Sequence, residues 1–237
     1  MDYEFLIDTL GKLLAVVPTT LGLFALSMLM GGALALGVVA MRVSGISVLV
    51  WLAKAYVFAF RGTPLLIQMF LAYYGLGQFE AVRESPLWLV LESPYLCAVF
   101  TMGLCTAGYT AEIIRGGLLA VPRGQIEAGL VAGMSRTTLI TRIIAPITLR
   151  LSLPAYSTEA VLMVKSTALA SLVTVWEVTG VAQQIIQRTY RTMEVFLCAA
   201  AIYLVINFLL VHAFTLLERK LSPHLRQRPT LRTVKAS

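Results

Sequence analysis

Charge is what this sequence has least of, and the shortage is uneven. Residues 16–41, 62–79 and 195–217 contain no Asp, Glu, Lys or Arg. Across 237 residues 13% are charged against 58% hydrophobic, and the mean hydropathy is +0.82. A membrane span needs about 20 apolar residues, so this composition excludes a soluble globule and implies an integral membrane protein. Cysteine is also sparse. Cys97, Cys105 and Cys198 stand in apolar runs with no CxxC spacing and no paired His, which excludes a zinc ligand set and leaves buried small hydrophobes. There is no GxxxxGK[ST], no HExxH and no GxSxG, so neither a phosphate-cradling loop, a metal site nor a catalytic residue is expected. A basic n-region is missing too: Asp2, Glu4 and Asp8 face a single Lys12, and the first span is expected to be retained rather than cleaved.

What is present reads as an all-α integral membrane protein of five transmembrane helices. The expected spans are 16–41, 62–79, about 95–114, about 153–176 and 195–217. Pro18 lies near the start of the first, where a helix tolerates proline. Residues 45–60, with Lys54, form a lead-in to the second span, either an interfacial helix or the tilted start of a kinked one. Between them, Thr63 can cap and Pro64 can take the first helical position. Residues 80–94 read as an external loop, and Glu177, Gln183, Gln184, Arg188 and Arg191 mark a polar connector before the last span. Residues 1–217 make one transmembrane domain, and 218–237 a basic tail without apolar period, expected to be a disordered cytoplasmic end. No internal repeat is evident.

The net charge of +7 is topological information and gives no reason to expect nucleic acid. Arg42, Arg115, Arg123, Arg136, Arg142, Arg150 and the tail's basic residues gather on one side if the N-terminus is outside. Lys12, Arg83, Arg188 and Arg191 remain on the other. The excess of Lys and Arg then faces the cytoplasm. A periplasmic N-terminus and a cytoplasmic C-terminus follow.

Residues 121–150 are the longest stretch charged enough to leave the bilayer and patterned enough to fold. Gln125 to Ala132 favours a helix that Gly133 can end. Ser135 can cap a second short helix to Ile144, with Leu139, Ile140, Ile143 and Ile144 on its apolar face and Pro146 closing it. The result is a helix–Gly–helix elbow between spans.

Three ionisable groups fall within or beside the spans: Arg61, Glu159 and Lys165. Each costs about 2.5–3.5 kcal/mol at a helix centre, so chance placement is a poor explanation. Glu159 and Lys165, six positions apart, are separated by roughly 240° at about 100° per residue and do not form a direct pair. They either pair with other helices or form a polar pocket for a zwitterion, Glu159 meeting a cation and Lys165 a carboxylate. A bracing or snorkelling role for Arg61 is the simpler expectation. Glu112 and Arg115 stand at helical i, i+3 spacing as a local pair. His212 reads as an interhelical hydrogen-bonder.

The elbow's Glu127-Ala128-Gly129, then Gly133, then Ile144-Ala145-Pro146, resembles the EAA loop of ABC importer membrane subunits, with Gly129 and Ala145 as mild departures. Phe60-Arg61-Gly62-Thr63-Pro64-Leu65-Leu66-Ile67-Gln68, the run from Tyr109 to Gly117, and Leu153 to Glu159 followed by Val164 to Leu169 are similar to polar amino-acid permeases. The histidine, lysine–arginine–ornithine and opine permeases of M type are the nearest in pattern. Thr158 and Ser166 depart from the usual Asn and acid. The resemblance implies a type I permease fold in the bacterial inner membrane. Residues Glu127, Ala128, Gly129, Gly133 and Ser135 would then form a coupling helix on an ATPase. Glu159, Lys165, Ser166 and Thr167 would be solute contacts, and Arg61, Gly62, Thr63 and Pro64 a structural or gating turn. It implies a second homologous permease, two ATPase subunits that carry ATP and Mg, a periplasmic solute-binding protein and lipid as partners, with no cofactor on this chain. Alternating access for a basic amino acid or an octopine- or nopaline-like opine is the expected action. A non-transporting assembly or sensory subunit is the alternative, and a secondary transporter a weaker third.

Overall fold

The computed structural model describes residues 3–221, and among these there are helices and no strands. Helix α1 (Tyr3–Ala15) runs almost directly into α2 (Val17–Val43), giving one rod of 41 residues. Pro18 sits in the first turn of α2, where its missing N–H leaves no bond broken. The charged N-terminal stretch is therefore helical, which its charge pattern did not suggest.

The lead-in is a separate helix. Helix α3 (Ser47–Gly62) and the following α4 (Leu65–Phe70) meet at 103°. Beyond α4 the span continues through a π turn (Leu71–Gly75) and a 3₁₀ turn (Leu76–Gln78). Thr63 does not cap forward: its hydroxyl donates back to Ala59 O at 2.8 Å, and Pro64 precedes the first helical residue. The reason is that Thr63 and Pro64 are both extended, as a residue before proline prefers to be. The expected loop 80–94 contains two single-turn helices, α5 (Glu80–Arg83) and α6 (Trp88–Leu91).

Helix α7 (Pro94–Leu119) is the centre of the bundle and starts at a Ser93 cap. It packs along α2 through small residues at four-residue spacing: Ser27, Gly31 and Ala35 against Gly103, Ala107 and Ala111, all buried. A Cβ on Gly31 would sit 2.9 Å from Gly103 O, so the backbones approach as only small side chains permit. Ser27 Oγ adds a hydrogen bond to Val99 O.

The elbow consists of α8 (Arg123–Val131) and α9 (Arg136–Leu139). Pro146 does not close the second helix. A π turn (Ile140–Ile144) joins α9 to α10 (Ala145–Ser166) without interruption. Ala145 N–H reaches back to Ile140 O, one residue further than in an α-helix, and this wider turn absorbs the donor that Pro146 lacks. A 3₁₀ segment (Thr167–Val173) then ends at Thr174, which is left-handed with φ 64°.

The polar connector is also helical: α11 (Val178–Thr189), followed by α12 (Thr192–Leu221). Val178 and Ala182 of α11 are buried against α12 and α1, with Leu13, Val195 and Ile202, and Gly180 is buried against Val175. Residues 218–221 complete α12; the rest of the expected tail lies outside the described residues. His212 is exposed and stacks on Phe208 of its own helix at 6.3 Å, rather than bridging to another.

Candidate functional site

A cavity of about 460 Å³ opens where the α3–α4 break faces α7 and α10. Arg61, Thr63, Tyr109, Glu159 and Ser166 line it, with Cys105 and Met163. This volume suits a small solute, which typically occupies roughly 300–1,000 Å³. A larger groove of about 540 Å³ between α1, α2 and α12 is lined by apolar side chains such as Leu10, Leu21, Phe24 and Leu209. It offers nothing to orient a polar ligand.

The two sides of the smaller cavity carry opposite charge. Arg61 lies in the last turn of α3, and its guanidinium is 5.1 Å over the Tyr109 ring, within cation–π range. Gly108, next to Tyr109 in α7, is approached by Arg61 Cγ. Across the cavity, Glu159 is 7% exposed on α10, and Thr106 Oγ1 donates to its Oε1 at 3.4 Å. No ion pair joins Arg61 to Glu159 among the described residues, so each charge keeps capacity for a ligand. Lys165 is exposed and does not line this cavity; the large angular separation from Glu159 takes it to another face. Ser166 lines the cavity but its hydroxyl donates to Leu162 O, and Thr167 is buried with its hydroxyl on Val164 O. The sequence thus placed the acidic member, while the cation opposite it is Arg61.

The elbow has its own geometry. Gly133 has φ +73°, and its N–H donates to Leu130 O while Met134 N–H donates to Gly129 O. These two bonds define a Schellman ending, so the glycine serves backbone conformation; no atom stands within 4 Å of where its Cβ would be. Gly129 is the close-packed one, with Leu139 Cδ1 2.6 Å from a built Cβ. It is buried inside the elbow, against Leu139 and Ile143. Glu127, Ala128, Leu130 and Val131 are exposed, Val131 at 90%. Ser135 caps α9, accepting from Thr138 N–H at 3.3 Å.

Two polar clusters were not legible in the sequence. Arg42 of α2 joins the Glu112–Arg115 pair of α7, so one carboxylate holds two guanidinium groups at 2.8 and 2.7 Å. Glu177 is fully buried as the N-cap of α11, accepting from Gly180 N–H at 2.8 Å and from Tyr203 hydroxyl at 2.7 Å. Burial pushes its carboxyl above the ordinary value, and the hydrogen bonds from Thr179, Tyr203 and Gly180 pull against that shift. Among the described residues no cluster of His, Cys, Asp and Glu can hold a metal ion.

This arrangement has close relatives. The chain is 51% identical over 225 residues to the octopine transport system permease protein OccM of Rhizobium radiobacter, covering 95% of this chain and 92% of that one. It is 45% identical over 174 residues to the arginine ABC transporter permease protein ArtM of Escherichia coli K12, covering 73% and 78%. A crystal structure of an amino acid ABC transporter with histidines matches with a TM-score of 0.82 and 30% identity over 93% of this chain and 99% of that one. Residues 27–223 match one family throughout. The chain belongs to the binding-protein-dependent transport system inner membrane components, with the type I ABC importer permease fold.

Proposed function

We propose that this permease forms half of a translocation path for a basic amino acid or an opine. The observation that carries this reading is the cavity in which Glu159 faces Arg61 without pairing to it. A solute bearing a cation and a carboxylate fits between them: Glu159 meets the ammonium or guanidinium and Arg61 the carboxylate. The relatives' solutes, octopine and arginine, support that choice.

In this reading the partner is a homologous permease, and two ATPase subunits supply ATP and Mg sites. A periplasmic binding protein delivers solute. The exposed face of α8, with Glu127, Ala128, Leu130 and Val131, docks on an ATPase and moves with it. Residues 1–217 are the membrane domain and 218–237 a cytoplasmic tail. Because Arg42, Glu112 and Arg115 meet, the ends of α2 and α7 lie on one side of the membrane. With the other Arg residues of the elbow this side is the cytoplasm, and the N-terminus is periplasmic. Nucleotide closure of the ATPases opens the permease pair outward, and hydrolysis returns it inward.

The test is uptake of labelled arginine by the assembled importer in proteoliposomes carrying Glu159→Gln. Uptake of the cationic solute is expected to fall at least tenfold, and that of a neutral amino acid much less. Co-purification with the ATPase establishes folding, because losing a buried charge can destabilise by about 3–5 kcal/mol on its own. Wild-type arginine uptake in a folded Glu159→Gln complex would falsify the solute cavity.

A further inference from the structure

The break between α3 and α4 exposes backbone acceptors that the helices themselves cannot satisfy. In a continuous helix the Phe60 carbonyl would accept from the residue four positions on, which is Pro64 and has no N–H. The Thr63 carbonyl is similarly bypassed, since Ile67 and Gln68 N–H both donate to Pro64 O. One side chain serves both. Gln68 Nε2 lies 2.9 Å from Phe60 O, 3.0 Å from Thr63 O and 2.9 Å from Thr63 Oγ1. Two of these three neighbours are carbonyls, so the amide must present its nitrogen to them. Its Oε1 is buried with no hydrogen-bond partner among the described residues, so the side chain is held there by its donor end.

Arg61 lies between the two residues that Gln68 grips. Its backbone is the last turn of α3, and its side chain crosses Gly108 to stack on Tyr109. Gln68 itself lies on the other side of the break, lining a separate groove with Phe100, Thr101 and Leu104. Thr63 lines both spaces. Gln68 does not line the solute cavity, yet it grips the turn from which Arg61 projects. We propose that Gln68 is the positioning residue that holds the Arg61 turn in the solute cavity, setting how well a solute carboxylate is met. This rests on the cavity reading above.

The experiment is a double-mutant cycle with labelled arginine in the reconstituted importer, using Gln68→Met, Arg61→Gln and both together. Methionine keeps the length and removes the donor. Gln68→Met is expected to lower uptake about tenfold, the size of a net hydrogen bond at the upper end, and Arg61→Gln at least as much. The double variant should be no slower than Arg61→Gln alone, within about twofold. Effects that multiply would overturn the proposal, because Gln68 would then act independently of Arg61. A second readout needs no transport. With Cys97 and Cys198 replaced by Ala, Cys105, whose Sγ is 3.9 Å from Phe60 O, should react faster with a membrane-permeant thiol reagent in Gln68→Met. Unchanged reactivity in a complex that co-purifies with its ATPase would overturn the brace. Faster reaction together with normal uptake by Arg61→Gln would support the brace and sink the solute cavity instead. If Gln68→Met does not assemble, Gln68→His is compared, since imidazole keeps an N–H donor in either tautomer; wild-type Cys105 reactivity and uptake there support the brace, and a tenfold loss with unchanged reactivity overturns it.

Discussion

Arg42 Nη2 lies 2.8 Å from Glu112 Oε1, joining the end of α2 to α7 across 70 positions of sequence. Arg115 takes the other carboxylate oxygen. Both Arg42 and Glu112 side chains are 15% exposed, whereas Arg115 is 37% exposed. The interhelical bond is therefore less screened by solvent than the local one.

Glu112→Gln is expected to destabilise by about 1.5–3 kcal/mol, the range for hydrogen bonds to charged groups. Arg115→Gln should cost under about 1 kcal/mol, because solvent screens that pair. Thermal unfolding of the purified complex in detergent measures both. Equal losses would show that the bond from α2 contributes nothing extra.

At the elbow, Gly133→Ala forces a Cβ into the left-handed region and should destabilise by about 1–2 kcal/mol, with Gly133→Asn less affected. Gly129→Ala meets the terminal methyls of Leu139 and Ile143 and the Met134 sulfur, all flexible side-chain atoms, so a small rotation should accommodate it. Val131→Asp, on the exposed face of α8, should leave the melting temperature unchanged while removing solute-stimulated ATP hydrolysis. Full stimulation by the Val131→Asp complex would mean that α8 does not dock on the ATPase.

Orientation is open to direct labelling. In a background without the native thiols, a Cys at exposed Glu92 should react with an impermeant reagent added to intact spheroplasts. One at exposed Thr137 should react only after the membrane is opened. The reverse pattern would place the N-terminus in the cytoplasm.

Glu177 supplies a pH signature. Its folded-state carboxyl is raised from the ordinary 4.5, so the fold retains a proton that the unfolded chain has released. The associated stability is fully present below pH 4.5 and declines as pH rises through the folded value. Glu177→Gln keeps an acceptor for Gly180 N–H and cannot ionise. Its melting temperature should therefore gain on wild type as pH rises above 4.5. Parallel curves would show that burial does not govern this carboxyl.

The membrane class, the five apolar runs and the elbow follow from one-dimensional information. Absence of charge over some 20 residues specifies a span, and a glycine followed by Ser135 marks where one helix stops and another starts. The Glu112–Arg115 pair and the separation of Glu159 from Lys165 follow from helical periodicity alone. Tertiary structure decided what depends on distant partners. The stripe of Ser27, Gly31 and Ala35 is uninformative until Gly103, Ala107 and Ala111 lie against it. Pro146 reads as a stop because a proline removes a donor, but a π turn can absorb that loss inside a long packed rod. Glu177 reads as part of a polar connector because its donors come from the turn it caps and from Tyr203 of another helix. Arg61 reads as a brace until the 103° break turns it toward Glu159. Periodicity fixes angles along one helix and carries no information about which face a bend or a neighbouring helix will enclose.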